Sequence, residues 1–425
     1  MNRDTIIQVF EHDKLRVIAN ESSTFTQQHL TALTRYYEKQ PQPYFKLIHQ
    51  GVQFSQYVGI IRVGSLTIEI LPKVGNVGDA NLWQQVLVGM LIESRLLDVR
   101  SPTQASLRVK SHSILELYIA LFLDEVELLQ HQGLLKAYRR VQENRGACKG
   151  RLLVHRQITQ NYAHQERFCV DYPTYDNDNL LNQLLYKTLR LIPSLTYQTL
   201  LVGRTHTLLL NFPRQADIST SSHRFDELVY NRKTSVYRSA IQLCELLLLN
   251  YHPDLMAGWK PVLALLFDMN RVWEQYVWQR IRKSDLFNAY TINCQNTKPF
   301  WGNHSIKPDI YLEKKEVRDE EWPNIIVDTK WKVNTQLVPS SDDLKQMFTY
   351  NHHYRASRSL LIYPAADQNQ DTISRPFKLA GAGGIHHCQL CTLPVLGERG
   401  LNRNIATNIW HLICNSKDYE PHVHV

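Results

Sequence analysis

The sequence contains no apolar run long enough to cross a lipid bilayer, which takes about 20 consecutive residues in a helix. Its longest apolar stretches, at residues 246–249 and 262–267, have the length of core helix segments. The first residues, Met-Asn-Arg-Asp, are not followed by the apolar and small-residue pattern of a secretory signal. We therefore expect a cytoplasmic protein that does not bind a membrane.

The sequence also has few features of a disulfide or zinc scaffold. It contains seven cysteines, an odd number, and a chain of 425 residues needs no disulfide framework to form a core. One pair, Cys388 and Cys391 preceded by His386 and His387, could supply part of a zinc site. No second paired cluster stands at the usual spacing, and the alternation of this stretch fits a half-buried strand.

The sequence also lacks a known nucleotide-binding motif. The sequence has no Gly-x-x-x-x-Gly-Lys-[Ser/Thr] loop, so we do not expect this chain to bind a nucleotide through a P-loop. The content of charged residues, 21%, is that of an ordinary soluble globular protein. The formal net charge of +8 permits a polyanionic partner, although many proteins without one are equally basic.

Periodicity divides the chain into three expected domains. Short alternating or apolar runs dominate residues 1–110, and Gly64-Ser65 between two β-branched runs predicts a hairpin there. Helical periodicity dominates residues 111–257, which we interpret as a mainly helical linking domain. Helices and strands then alternate over residues 258–425, as in a mixed α/β domain. The predicted fold class is multidomain α+β, with a β-rich N-terminal domain, a helical middle and an α/β C-terminal domain.

Three polar residues at predicted strand ends could carry the hydrolysis of a phosphodiester. Asp309 stands where one strand is expected to begin, and Asp328 and Lys330 stand where another ends. Hydrolysis needs charge neutralised on the phosphate and a water made nucleophilic, and Mg²⁺, which prefers carboxylate and water ligands, does both. Asp309 and Asp328 could bind this ion from adjacent strands. Lys330 would face the same side as Asp328, because strand side chains alternate, and would stabilise developing negative charge.

Three further residues flank this set. Glu274, on a helix predicted over residues 267–282, could add a third carboxylate to the metal site. Gln346 and Tyr350 lie four residues apart on a helix predicted over residues 340–354, so they share one face. They could contact the metal shell or DNA phosphates. Each residue alone also fits a solvated surface position, whereas the ordered set is a poor fit to chance.

The ordered set Pro-Asp, Asp-x-Lys and Gln-x-x-x-Tyr resembles the motif of the PD-(D/E)xK nuclease superfamily. Three other stretches are similar to signatures of one branch, the McrC family: Gly-Ser-Leu-Thr-Ile-Glu-Ile-Leu-Pro-Lys (64–73), Tyr-Asp-Asn-Asp-Asn-Leu-Leu-Asn (175–182) and Leu-Phe-Asp-Met-Asn-Arg-Val-Trp-Glu (266–274). The matches run in order from residue 58 to residue 350. The resemblance therefore covers most of the chain, and it implies that the C-terminal domain has the PD-(D/E)xK nuclease fold.

This resemblance implies a division of labour. McrC-like proteins carry the endonuclease domain of a complex whose motor is a separate GTP-hydrolysing AAA+ protein. Their β-rich N-terminal domain, which here would include Pro72-Lys73, inserts into the pore of that hexameric ring and stimulates hydrolysis. By this likeness Asp309, Asp328 and Lys330 match the catalytic triad, and Glu274 and the Gln-x-x-x-Tyr pair match flanking positions. The missing P-loop agrees with a motor on another chain.

The expected cofactor and partners follow from the same likeness. The cofactor is Mg²⁺, and the substrate is double-stranded DNA in which the partner reads a modified cytosine. The partner is an McrB-like AAA+ GTPase hexamer, with one chain to each ring and with pairing of complexes to cut both strands. The basic stretch over residues 136–151 either contacts the motor or DNA, or is a solvated helix end.

Two other functions fit parts of the sequence. The chain could be a non-cutting subunit that assembles and activates an AAA+ ring. It could also be a stand-alone nuclease of the superfamily, which would leave the N-terminal half without a role.

Overall fold

The computed structural model describes residues 5–17, 24–39, 43–75, 79–94, 113–252, 261–316, 323–334, 337–365, 371–377, 386–397 and 400–414. The chain forms two compact units, the first made of Met1–Asp4 with Val99–Pro253 and the second of Thr5–Asp98 with Asp254–Val425. Both units contain helices and strands, so the protein is of mixed α/β class. No helix within the described residues has the length and apolarity to span a membrane.

The strands of the described residues are, in chain order, β1 (Thr5–Phe10), β2 (Lys14–Arg16), β3 (Phe45–Ile48), β4 (Gly51–Phe54), β5 (Tyr57–Val63), β6 (Leu66–Leu71), β7 (Ala137–Arg145), β8 (Arg151–Leu152), β9 (Phe168–Asp176), β10 (Tyr251–His252), β11 (Val262–Asp268), β12 (Tyr290–Cys294), β13 (Lys298–Trp301), β14 (His304–Ile306), β15 (Ile310–Lys314), β16 (Asn324–Thr329), β17 (Ala356–Ala365), β18 (Thr372–Pro376), β19 (His387–Pro394), β20 (Leu396–Gly397) and β21 (Gly400–Leu401). The helices are α1 (Gln27–Lys39), α2 (Ala80–Glu93), α3 (Ile114–Gln132), α4 (Val154–Gln160), α5 (Leu180–Leu195), α6 (Thr199–Asn211), α7 (Ser222–Asp226), α8 (Arg238–Leu249), α9 (Met269–Arg282), α10 (Ser341–Tyr354) and α11 (Ile405–Cys414). Single 3₁₀ turns cover Ser235–Tyr237 and Asp285–Phe287.

The N-terminal sheet of the second unit is built on the predicted hairpin. Strands β5 and β6 pair antiparallel around the turn at Gly64, and β1 adds to β6 in parallel. Strand β6 ends at Leu71, directly before Pro72, as the missing N–H of proline predicts. One side of this sheet packs on a core that includes Phe25, Leu33, Phe45, Phe54, Ile61 and Ile68.

The stretch over residues 262–267, which we expected to be core helix, is strand β11. Short apolar runs do not distinguish a buried strand from a buried helix, so the expectation was wrong. Strand β11 pairs antiparallel with β5 from Val262 opposite Val63 to Asp268 opposite Tyr57. Asp268 then caps α9 by accepting the N–H of Asn270 at 2.9 Å. Strand and helix are thus continuous, so the sheet of residues 5–71 carries the helix that holds Glu274.

The second sheet of this unit has the order β12-β15-β16-β17-β19-β18. Strands β16, β17 and β19 run parallel to one another, and the others pair antiparallel. Helix α10 connects β16 to β17, as parallel neighbours require. It begins after the cap residue Ser340, which accepts the N–H of Asp343, and ends at Tyr354, which is followed by Arg355 with φ of 48°. The helix predicted over residues 340–354 and the strand predicted to end near Asp328 are confirmed.

The first unit corrects two sequence expectations. The basic stretch over residues 136–151 is no helix end, since most of it forms β7, which pairs along its whole length with β9. The helical periodicity of residues 226–249 predicts one long helix, whereas α8 starts only at Arg238. The side chain of Asn231 accepts the backbone N–H groups of Lys233 and Thr234, which fixes a turn in place of the first helical turns.

Candidate active site

The sheet brings the two predicted aspartates together. Strands β15 and β16 are antiparallel, with Ile310 opposite Val327, so the start of one lies beside the end of the other. Asp309 directly precedes β15, and Asp328 is the second-last residue of β16. The Asp309 carboxylate accepts the backbone N–H of Thr329 at 2.8 Å and its hydroxyl at 3.0 Å. These two bonds hold Asp309 against the end of β16.

Lys330 faces the same side as Asp328, as the alternation of a strand predicts. Its Nζ lies 2.8 Å from Oδ2 of Asp328 and donates to Oε1 of Gln346 at 3.3 Å. Gln346 in turn donates to the Tyr350 hydroxyl at 2.8 Å, and that hydroxyl donates to the carbonyl of Lys307 at 2.8 Å. The face of α10 that carries Gln346 and Tyr350 therefore orients Lys330 and fixes the backbone just before Asp309.

Glu274 is held on the other side of the site by residues that the sequence did not indicate. Its Oε1 accepts the side-chain N–H of Gln295 at 2.8 Å, and Cys294 Sγ lies 3.9 Å away. Lys307 donates to the amide oxygen of the same Gln295 at 3.2 Å. Gln295 has no motif of its own; its only sequence signal is its place directly after β12.

Burial and negative charge shape the proton affinity of the three carboxyls. Burial, followed by the charge of Asp309, raises the pKa of Asp328 well above its usual range. Burial also raises the pKa of Asp309, and burial and the charge of Asp309 raise the pKa of Glu274 to about 7. Burial lowers the pKa of Lys330, but the ion pair with Asp328 outweighs it and the net shift is upward. A cation at this site would relieve the crowding of buried negative charge.

The donor set of Asp309 and Asp328 fits a magnesium ion. Asp328 is 1% exposed, and apart from the ion pair with Lys330 no hydrogen bond from a described residue reaches its Oδ2. No group of three His, Cys, Asp and Glu side chains among the described residues is arranged to hold a metal. Glu274, the third predicted ligand, accepts a hydrogen bond from Gln295 through Oε1. Since Mg²⁺ usually binds one or two carboxylates and keeps several waters, Asp309 and Asp328 meet its needs.

A buried carboxylate directly after β1 binds the residue that follows the predicted lysine. Glu11 Oε1 accepts the indole N–H of Trp331 at 2.8 Å and the backbone N–H of Lys73 at 2.9 Å. The Trp331 ring lies 5.6 Å from that of Trp273, the neighbour of Glu274. Glu11 therefore joins Lys73, the last residue of the stretch 64–73, to the residue after Lys330, and nothing in the sequence linked positions 11 and 331.

Glu11 makes the stability of the protein depend on pH. Burial raises its pKa from 4.5 to about 7, so the folded protein binds this proton more tightly than the unfolded chain. Its contribution is fully present below pH 4.5 and is lost as the pH rises towards 7. In wild type, this loss lowers the free energy of unfolding by up to about 3 kcal/mol. We expect Glu11→Gln, which keeps one accepting oxygen, to abolish it. Chemical unfolding at pH 5 and pH 8 measures it, with the exposed Glu38→Gln as control; equal pH dependence in all three proteins would contradict it.

The cysteine and histidine stretch forms a strand. Residues 387–394 make β19, which pairs with β17 and β18. Cys388 and Cys391 are both buried, and an odd separation along a strand turns their side chains to opposite faces. This geometry supports the strand interpretation of the pattern.

The central motif at 175–182 has a structural role in the first unit. The side chain of Asn179 caps α5 by accepting the N–H of Asn182. Asn182, fully buried, donates to the carbonyls of Leu135 and Asn177, and accepts the Tyr237 hydroxyl at 3.1 Å. The motif therefore ties three segments of this unit together.

Comparison with known proteins finds a matching family model and similar solved structures. A family model described as McrBC 5-methylcytosine restriction system component matches residues 52–364, more than half of the chain. No curated protein matches. One similar structure is a refined half-complex from a tetradecameric assembly of Thermococcus gammatolerans McrB AAA+ hexamers with bound McrC, with a TM-score of 0.70, 19% identity, and coverage of 97% of this chain and 100% of that one. A cryo-EM structure of the Thermococcus gammatolerans McrBC complex has a TM-score of 0.48 and 21% identity, over 66% of this chain and 88% of that one. The first of these shows a shared fold.

Proposed function

The chain belongs to the family of McrBC 5-methylcytosine restriction system components, and we propose that it is the subunit that cuts DNA. The proposed reaction is the magnesium-dependent hydrolysis of phosphodiesters in DNA that carries modified cytosine. One observation carries the proposal: Asp309 and Asp328 lie side by side at adjacent strand ends, with the Lys330 ammonium 2.8 Å from Asp328.

The proposed chemistry divides between a metal ion and the residues of this chain. Asp309 and Asp328 would hold Mg²⁺, which when bound supplies the charge neutralisation and the water activation that hydrolysis needs. Lys330, oriented by Gln346, presents a positive charge to negative charge that develops on the phosphate. Tyr350 fixes the backbone of Lys307 and so the approach of the Asp309 carboxylate.

The second part of the proposal concerns a partner. The chain of similar fold belongs to an assembly whose description gives McrB AAA+ hexamers with bound McrC. We infer that this chain likewise works with an AAA+ GTPase hexamer, one chain to a ring, and stimulates its GTP hydrolysis. Two such complexes are needed to cut both strands of a duplex, because one chain carries one candidate site.

The experiment that tests the proposal is cleavage by the wild-type protein. The chain is co-expressed with an McrB-like AAA+ GTPase and assayed on methylated and unmethylated plasmid with GTP and Mg²⁺. We expect cleavage of methylated plasmid only, and none when EDTA removes the metal. If the partner's GTPase is stimulated but no DNA is cut, the chain is an activating subunit and not a nuclease. Cutting without the partner would indicate a stand-alone nuclease.

A further inference from the structure

A small β-hairpin projects beside the candidate site. Strands β13 and β14 pair antiparallel, with Lys298 opposite Ile306 and Trp301 opposite His304. Gly302, with φ of 53°, makes the tight turn between them. The pairing shifts register between Pro299 and Trp301. A bulge of this kind changes the direction of the side chains near the tip.

The tip of this hairpin carries two large aromatic side chains in solvent. Trp301 is 74% exposed and Phe300 is 50% exposed. Trp301 is the one exposed tryptophan among those that the structure describes. Its ring stacks on His304, with centroids 5.8 Å apart and an angle of 18°, while Phe300 packs edge-on against His353. Phe300 thus anchors the tip, and Trp301 presents a wide apolar face that the described residues leave uncovered.

The hairpin and the segments that flank it carry only positive charge in the sequence. Between Asp285 and Asp309 the sequence has no Asp or Glu, and this interval contains Lys298 and Lys307. Lys298 lies over the Tyr354 ring at 4.3 Å, close to the C-terminal end of α10. A basic surface interleaved with aromatic rings complements DNA, whose phosphates are negative and whose sugars and base steps can pack against an apolar side chain.

The hairpin is held in a fixed relation to the candidate site. The Tyr354 hydroxyl donates to the carbonyl of Asn296 at 2.6 Å and to that of Ile306 at 3.1 Å, so it closes the base of the hairpin. The backbone N–H of Gln295 donates to the carbonyl of Asp309 at 2.9 Å. Both ends of the hairpin are therefore attached to the residues around Asp309, and whatever the tip binds is positioned relative to the carboxylates.

We propose that the hairpin of residues 298–306 is a DNA-contacting element, which packs the exposed face of Trp301 against the bases or sugars of duplex DNA beside the cut site. Lys298 and Lys307 contact the phosphates on either side. This inference rests on the proposed nuclease function, since it assigns the surface that positions the substrate. A protein partner is the weaker alternative, because the surface continues directly into the candidate site and its charge matches a polyanion.

Binding of a fluorescein-labelled 30-base-pair duplex to the full-length chain tests the proposal by anisotropy in EDTA, where no cleavage occurs. Trp301→Ala should weaken binding by about 10-fold, since it removes one aromatic contact with the bases. Trp301→Phe should restore most of the affinity, because it keeps an aromatic face. Lys298→Gln should lower the slope of log K against log salt by about 0.9, the loss of one phosphate contact.

The matched control is Leu210→Ala, because Leu210 is 85% exposed and lies on α6 of the other unit. It should bind within about two-fold of wild type, since surface substitutions away from a binding site have small effects. Wild-type affinity in Trp301→Ala, or no binding by the wild-type chain, would overturn the proposal. So would normal DNA binding combined with loss of GTPase stimulation, which would identify a protein-docking surface. Cleavage of methylated plasmid by the wild-type chain with its partner is measured separately, so weak binding by Trp301→Ala tests the hairpin and absence of wild-type cleavage tests the nuclease function.

Discussion

Replacement of Asp328 by Asn should reduce DNA cleavage by at least about 10³-fold, because a neutral amide neither holds the metal nor offsets the charge of Lys330. Asp328 is 1% exposed at the end of β16, so no nearby water-exposed carboxylate can take its place without a shift of the strand. The measurement is single-turnover cleavage of methylated plasmid with the AAA+ partner, GTP and Mg²⁺.

The same substitution should leave the protein folded. Because burial and Asp309 raise the pKa of Asp328, the folded state disfavours its ionised form, and this cost grows as the pH rises above the unfolded pKa. Asn removes that cost but leaves the Lys330 ammonium, whose side chain is 25% exposed, without its ion pair, so we expect an unfolding midpoint at pH 8 close to that of wild type. A loss of cleavage without a loss of stability would separate a catalytic role from a structural one.

The matched control is Asp342→Asn, on the first turn of α10. Asp342 is 91% exposed and pairs only with the surface Lys345 among the described contacts. Its cleavage rate should stay within about two-fold of wild type, since surface ion pairs contribute little. Cleavage by Asp328→Asn at the wild-type rate would refute the assignment of the site. An equal loss in both variants would point to a general effect of charge on the assembly.

Replacement of Lys330 by Met should reduce cleavage by about 10²- to 10³-fold, the cost of removing one group that stabilises developing charge. Met keeps the length of the side chain and removes its ammonium. The Gln346 amide then has no donor from position 330, and the Asp328 carboxylate loses the cation 2.8 Å away. DNA binding in EDTA should change far less than the cleavage rate, because many other contacts contribute to it.

Lys330→Met should also destabilise the protein in a pH-dependent way. Removing one partner of a buried pair costs about 3 kcal/mol when the other stays charged. Without the lysine the pKa of Asp328 rises further, so the loss should be small at pH 5 and large at pH 8. Chemical unfolding at both pH values measures this difference. Lys345→Met, at a position 76% exposed, is the control and should show neither effect.

A pH-independent loss of stability in Lys330→Met would mean that Asp328 does not carry the unpaired charge. Cleavage at the wild-type rate would show that Lys330 is a surface partner of Asp328 and has no part in the chemistry. The two variants are independent tests, because one removes a candidate metal ligand and the other leaves both ligands in place.

Local chemistry made much of the candidate site predictable. Asp328 and Lys330 had to share a face because strand side chains alternate, and the structure places them in an ion pair. Gln346 and Tyr350 had to share a face of α10, and they are joined by a hydrogen bond of 2.8 Å. The hairpin at Gly64 and the end of β6 before Pro72 followed from turn and proline chemistry in the same way.

The sequence by itself determined those features whose cause lies within a few residues, and the resemblance to a nuclease family that their order carries. Only the tertiary structure decided that residues 262–268 form a strand of the N-terminal sheet, that the basic stretch after residue 136 pairs as β7, and that Glu11 binds Trp331. The physical reason is that strand pairing and buried hydrogen bonds join segments far apart in the chain. An apolar or basic run has no local preference strong enough to reveal such a partner.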